Sequence, residues 1–311
     1  MAINWFPGHM HKARKEIAEV MPRMDVIIEL VDARIPFSSE NPLVPALRGN
    51  TPCIKLLNKA DLADPELTRA WIEHLEQEQG ITALPLNAKE ADKVRQLPAL
   101  CRSLTSARKL ETRGVRALIL GVPNVGKSTV INTLAGRQVA KTGNEAGITK
   151  AQQRIKLDDD MVLTDTPGFL WPKLSPPECG YRLAITGAIK DTAFEYEDIA
   201  LFAADLLLRH YPERVKERYR INILPETDLE LLEAIGVQRN CVRKGGSVEL
   251  QKVSTLLIKE LRDGMLGPLT LETPEQVERE IAAAREEDER KAQEKAERDR
   301  VRKQRTKKNR R

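Results

Sequence analysis

An α/β fold, a parallel sheet followed by a small all-α domain, is predicted by three observations. Short apolar runs of strand length alternate with helical stretches over residues 1–175. A proline-rich segment at 171–177 (WPKLSPP) ends that alternation. Beyond it, apolar residues recur at helical spacing.

The strands are read at 25–31 (DVIIELV), 52–57 (PCIKLL), 81–86 (ITALPL), 115–120 (VRALIL) and 161–164 (MVLT), with a sixth at a sheet edge over 154–157. A helix over 65–79 opens at Pro65, with Asp64 as its N-cap. Strands alternating with helices imply a parallel sheet covered on both faces. In the second part, apolar stripes at 199–209, 229–235 and 253–261 predict helices. Residues 274–299 are rich in Glu, Arg, Lys and Ala, which predicts a solvated helix or a partly ordered tail. The domain boundaries follow as 1–175, 176–272 and a charged tail, 273–311.

Composition narrows the class. The chain has 311 residues, 41% hydrophobic and 31% charged, with no apolar run of membrane-spanning length. The N-terminus lacks an apolar stretch of signal-peptide length, so the expected location is the cytoplasm. Cysteines at 53, 101, 179 and 241 have no metal-ligand spacing; buried, reduced thiols are expected. Residues 300–311 (RVRKQRTKKNRR) carry eight Lys/Arg and no acid; without them the 51 basic and 46 acidic residues become 43 and 46. The net charge of +5 is therefore a basic arm on a slightly acidic body, and it suggests a polyanionic partner.

Residues 121–128 (GVPNVGKS) match GxxxxGK[ST] between a strand and a helix. Glycines allow backbone N–H groups to converge on phosphate oxygens, and the helix N-terminus adds its positive dipole. Asn124, Val125, Gly126, Lys127, Ser128 and Thr129 form the expected cradle. Lys127 neutralises the β/γ-phosphates and Ser128 places its hydroxyl on Mg²⁺. Asp165-Thr-Pro-Gly168 ends the 161–164 strand and matches DxxG, with Asp165 on the metal through water and the Gly168 N–H on the γ-phosphate.

The base is read by a third motif. Asn58-Lys59-Ala-Asp61 ends the 52–57 strand and matches NKxD. A carboxylate at Asp61 accepts from guanine N1–H and N2–H₂, whereas adenine offers an acceptor at N1 and no amine at C2. Asn58 completes the base edge and the stem of Lys59 lies over the ring. Asn87-Ala88-Lys89, after the 81–86 strand, fits the weaker backbone-contact motif, with Asn where Ser is usual. Four motifs at strand ends make a guanine-nucleotide site for GTP and GDP. Their order is unusual: NKxD and Asn87-Ala-Lys89 precede the phosphate loop and DxxG. Circular permutation keeps the sheet and its ligand contacts while moving the chain ends. The predicted class is thus a P-loop GTPase domain with a circularly permuted parallel sheet, followed by a small all-α domain.

Taken with Phe6-Pro-Gly-His9-Met, Asp32-Ala-Arg34-Ile-Pro36, Lys244-Gly-Gly246 and the run from Arg262 to Glu272 (RDGMLGPLTLE), the permuted motifs resemble the YlqF/RbgA family of ribosome biogenesis GTPases over about residues 3–272. The resemblance implies late assembly of the large ribosomal subunit, with the precursor particle and its rRNA as partners, and C-terminal helices on the RNA. It implies that Thr149 is the switch threonine closing on Mg²⁺. It also implies that Asn124 helps to hold K⁺ beside the phosphates, as in potassium-selective relatives; a turn-forming asparagine is the alternative.

Phe169 follows DxxG where Ras-type enzymes carry the water-orienting Gln, so intrinsic hydrolysis is expected to be slow and stimulated by ribosomal particles. His9 has two readings: a group that orients water or moves its proton, or a side chain packed against Trp5 and Phe6. The resemblance further implies that Arg243, Lys244, Lys259 and Arg262 form an RNA-facing surface; a solvated helix face is the alternative for any one of them. The chain is expected to act as a monomer without a membrane. Two rival functions stay open at this point: an RNA-assembly scaffold whose hydrolysis is incidental, and a GTPase acting on another target such as tRNA.

Overall fold

The computed structural model describes residues 15–140, 153–158 and 160–308. Six strands form one sheet: β1 (Val26–Asp32), β2 (Cys53–Asn58), β3 (Ile81–Leu86), β4 (Val115–Gly121), β5 (Gln153–Asp158) and β6 (Met161–Asp165). Their order is β3-β2-β1-β4-β6-β5, and every neighbouring pair is parallel except β5 with β6. β1 and β2 are buried at every position, so both faces of the sheet are covered there. β5 is the antiparallel edge that the short 154–157 run predicts, and it is mostly exposed.

The helices of eight or more residues are α1 (Pro65–Leu75), α2 (Lys127–Ala135), α3 (Glu178–Ile185), α4 (Tyr196–His210), α5 (Pro212–Tyr219), α6 (Asp228–Gln238), α7 (Leu250–Arg262) and α8 (Pro274–Lys308). Asp64 caps α1 as expected, accepting from the Glu66 and Leu67 N–H groups. α1 stops at Leu75, short of the expected residue 79, because Glu76 to Gly80 turn back to start β3. Thr227 and Glu230 close a capping box on α6.

α4 is the centre of the helical part, with α3, α5, α6 and α7 packed around it. Its buried stripe includes Ile199, Ala200, Ala203, Ala204 and Leu207, and the alanines let neighbours approach closely. After α7 the chain does not leave the body. Residues 264–272 run back to the sheet as a strap: Leu269 N–H donates to Leu62 O (2.9 Å), Asp64 N–H to Thr270 Oγ1 (3.0 Å) and Leu271 N–H to Arg34 O (2.7 Å). Glu272 is fully buried; it accepts from the Ser38 N–H (3.0 Å) and the Ser38 hydroxyl, and faces the buried Arg182. α8 begins docked, with Val277 buried and Glu280 gripped by Arg182 (2.8 and 2.5 Å). From residue 285 to 299 it is exposed at every position. The four cysteines are free and buried, and the burial of Cys101 pushes its thiol up to about 12.

Candidate active site

The sheet delivers all four motifs to the carboxyl ends of its parallel strands. β4 ends in the phosphate loop, β6 in Asp165, β2 in Asn58 and β3 in the turn at Asn87. Read from β4 onward, the strands follow the ordinary GTPase sequence of motifs, which is what a permuted chain requires. The phosphate loop enters α2 through two left-handed residues, Asn124 (φ 58°) and Gly126 (φ 99°). Gly126 is needed twice, because a Cβ there would also lie 2.3 Å from Asn58 Nδ2.

Lys127 and Asp165 form a buried ion pair, Nζ to Oδ1 at 2.5 Å. Burial pushes the Asp165 carboxyl up, and the Lys127 charge only partly offsets it. Its Oδ2 is buried and accepts no hydrogen bond among the described residues. A buried carboxylate oxygen with open lone pairs suits a hydrated Mg²⁺, for which the half-buried Ser128 hydroxyl is the second oxygen donor. Gly168 lies against the phosphate loop, where a Cβ would meet Pro123 Cα at 3.1 Å. Phe169 is buried and turned into the core, so that position offers no polar group to water. His9 and Thr149 lie outside the described residues.

At the base end, Asn58 joins three loops. Its Nδ2 donates to Val125 O in the phosphate loop (2.6 Å), and its Oδ1 accepts from the Ala88 N–H (2.9 Å). Asn87 Oδ1 accepts from the Lys89 N–H (3.0 Å), so the asparagine shapes this turn locally. Asp61 is exposed on the single turn Ala60–Leu62, while Lys59 precedes it in a left-handed conformation (φ 60°).

Asp32 and Arg34 were legible only as parts of a resemblance, and the structure gives them a physical role. Lys59 Nζ lies 2.9 Å from Asp32 Oδ2, and Arg34 grips both oxygens of the same carboxylate at 2.9 Å. Burial pushes the Asp32 carboxyl up, but the Arg34 and Lys59 charges outweigh it and hold the group well below the usual carboxylate range. The signal for this pair is an acid at the end of a buried strand with an arginine two residues on.

The helical part reaches the site too. Asn124 Nδ2 donates to Gly187 O (2.7 Å), just after α3. Arg243, Lys244 and Lys259 are exposed as expected. Arg262 is not part of that face. It donates to Ala184 O (2.8 Å) and Ile185 O (3.0 Å) and pairs with Asp191 (2.9 Å), closing the carbonyl end of α3. Among the described residues no helix is long and apolar enough to cross a membrane, and no His/Cys/Asp/Glu group is arranged to hold a metal ion.

Comparison with known proteins agrees with this geometry. A family model described as 50S ribosome-binding GTPase matches residues 116–237, starting at β4, and an RsgA GTPase model matches 37–175. A ribosome biogenesis GTPase A from Bacillus cereus is 47% identical over 283 residues, covering 89% of this chain and 95% of that protein. The Thermotoga maritima protein of the same name is 31% identical over 88% of this chain and 96% of its own. A Bos taurus mitochondrial ribosome-associated GTPase 1 is 32% identical, over 86% and 88%. Among solved structures, GDP-bound YlqF of "TM" aligns with TM-score 0.60 and 26% identity, covering 84% of this chain and 99% of that one.

Proposed function

We propose that this chain, which belongs to the ribosome biogenesis GTPase A (YlqF/RbgA) family, is a cytoplasmic, monomeric GTPase that binds the precursor of the large ribosomal subunit and promotes its late maturation. The observation that carries the reading is Asn58. One buried amide ties the guanine-reading loop, the Asn87-Ala-Lys89 turn and the phosphate loop into a single frame, so the permuted motifs act as one site.

GTP brings the chemistry with Mg²⁺, which polarises the phosphates. Within the chain, Asp61 accepts from the guanine edge, and Lys59 covers the ring while Asp32 holds its ammonium. Asn58, Ala88 and Lys89 frame the base, and the loop from Asn124 to Thr129 wraps the phosphates. Lys127, paired with Asp165 in this structure, is the cation that would turn to the β/γ-phosphates, and Asp165 is the carboxylate that would face the hydrated Mg²⁺. Ser128 and Thr149 are the residues whose hydroxyls would hold Mg²⁺, and the Gly168 N–H would meet the γ-phosphate.

The group that orients attacking water comes from elsewhere than the buried Phe169. His9 is our candidate: His9→Ala lowers stimulated turnover and spares GTP affinity, and an unchanged kcat removes it from the mechanism. Asn124 serves K⁺ in the loaded state. Its Nδ2 donates to Gly187 O in this structure, and its Oδ1 is the atom that would hold the ion. Faster turnover in KCl than in NaCl supports this, and equal turnover removes it.

The deciding assay compares GTP hydrolysis alone and with purified large-subunit precursor particles. Stimulation fits a GTP-controlled factor. A flat response favours a scaffold whose hydrolysis is incidental.

A further inference from the structure

Four arginines, two from one helix and two from the residues that directly follow that helix and the next, converge on one cleft of the helical part. Arg214 and Arg218 lie on α5, Arg220 directly follows it, and Arg239 follows α6. The cleft encloses about 730 Å³, and Leu266 of the strap is part of its wall.

Three of the four guanidinium groups are held before any ligand arrives. Arg218 donates to both oxygens of Glu260 (2.9 and 2.7 Å), and Arg239 lies 3.6 Å from the same carboxylate. Arg239 also stacks over Tyr219, 5.3 Å from the ring centroid, and Arg214 over Tyr211 at 5.6 Å. The Nε of Arg239 is buried and has no hydrogen-bond partner among the described residues. Arg220 is exposed at the rim in a left-handed conformation (φ 55°). Two carboxylates, Glu217 and Glu260, stand against four permanent positive charges, so the cleft is net positive. Guanidinium groups already ordered by rings and a carboxylate lose little freedom on gripping an anion.

The shape and the lining select among anions. The cleft presents forks of N–H donors spread over several elements, as a chain of phosphates needs and a lone phosphate does not. Tyr219 is buried and both rings are covered by arginines, so the site offers charge and donors in place of a stacking platform for bases. The separate groove holding Arg243, Lys252 and Lys259 also holds Glu197 and Glu249, so it carries a smaller net positive charge than the arginine cleft.

We propose that the arginine cleft formed by Arg214, Arg218, Arg220 and Arg239 is the site where this protein binds the phosphodiester backbone of folded RNA. The proposal deepens the ribosomal reading and rests on it, because that reading supplies RNA as the polyanion.

The test uses the full chain and purified large-subunit rRNA as the probe, with affinity measured from roughly 0.1 to 0.3 M KCl. The double variant Arg214→Gln/Arg220→Gln binds at least about tenfold more weakly, and its log K against log[salt] slope falls by about two. Arg220→Gln alone, at an exposed position, lowers the slope by about one and guards against a folding defect. Arg243→Gln/Lys244→Gln changes affinity by less than about threefold. Affinity for GDP is unchanged in all of them. Wild-type binding with an unaltered cleft variant overturns the cleft assignment alone. A wild-type chain that does not bind the rRNA overturns the RNA reading beneath it.

Discussion

The Lys59 ammonium lies 2.9 Å from an Asp32 oxygen, and Arg34 donates to both oxygens of the same carboxylate. The lysine of the guanine motif is thus steered by a residue from a neighbouring strand, since β1 and β2 pair with Asp32 opposite Asn58. Arg34 in turn accepts, through its backbone carbonyl, the Leu271 N–H of the strap (2.7 Å). Guanine recognition and the helical part share this one ion cluster.

Asp32→Asn keeps the size of the side chain and removes its charge. It leaves Arg34 buried without its carboxylate, which costs roughly 3 kcal/mol of stability. Lys59 also loses its anchor, and the Kd for GDP is expected to rise roughly tenfold, about 1.4 kcal/mol. Fluorescent-GDP titration beside thermal melting checks both. A lower Tm with an unchanged Kd would show that the cluster supports the fold and leaves the lysine's work untouched.

Asn58→Ala removes two hydrogen bonds and strands Val125 O and the Ala88 N–H. With each such bond worth about 1 kcal/mol, nucleotide affinity is expected to fall roughly thirtyfold. GTP and GDP should suffer alike, because the frame serves the whole site. A loss confined to GTP would place the role of Asn58 near the γ-phosphate and contradict the frame.

Much of this site was legible because its signals are local. A period of strands, a proline after Asp64 and four short motifs at strand ends need only neighbouring residues, and β3 falls at the residues that its apolar run marks. What escaped depends on distant partners. Arg262 reads as a surface charge until its turn of α7 is seen closing α3, 77 residues away. The strap residues Leu269 to Glu272 carry no periodic signal, yet they bond to Leu62, Asp64, Arg34 and Ser38 across the chain. The amide of Asn58 is likewise spent on loops 30 and 67 residues away rather than on its own turn.

Glu29 sets a pH dependence of stability. It is fully buried on β1, and burial pushes its carboxyl up to about 8, against the pull of Lys55 and with Glu40 adding to the rise. Its Oε1 accepts from the Asn41 N–H (2.7 Å), while Oε2 has no partner among the described residues. Between its ordinary value of 4.5 and about 8, the folded chain holds a proton that the unfolded chain has released. Stability from this group therefore falls as pH rises across that window, by up to about 1.4 kcal/mol per pH unit. Glu29→Gln keeps the acceptor for Asn41 and removes the titration. Its Tm should exceed that of the wild type by a few degrees at pH 8 and match it near pH 5, by calorimetry. Parallel pH profiles for the two proteins would contradict this.

Co-sedimentation of the full chain with large-subunit precursor particles, loaded with GDP or with a non-hydrolysable GTP analogue, tests the central claim most directly. The account predicts strong retention with the analogue and release with GDP, because nucleotide state and the helical part meet at Asp32, Asn124 and the strap. Equal retention in both states, or none in either, would contradict it.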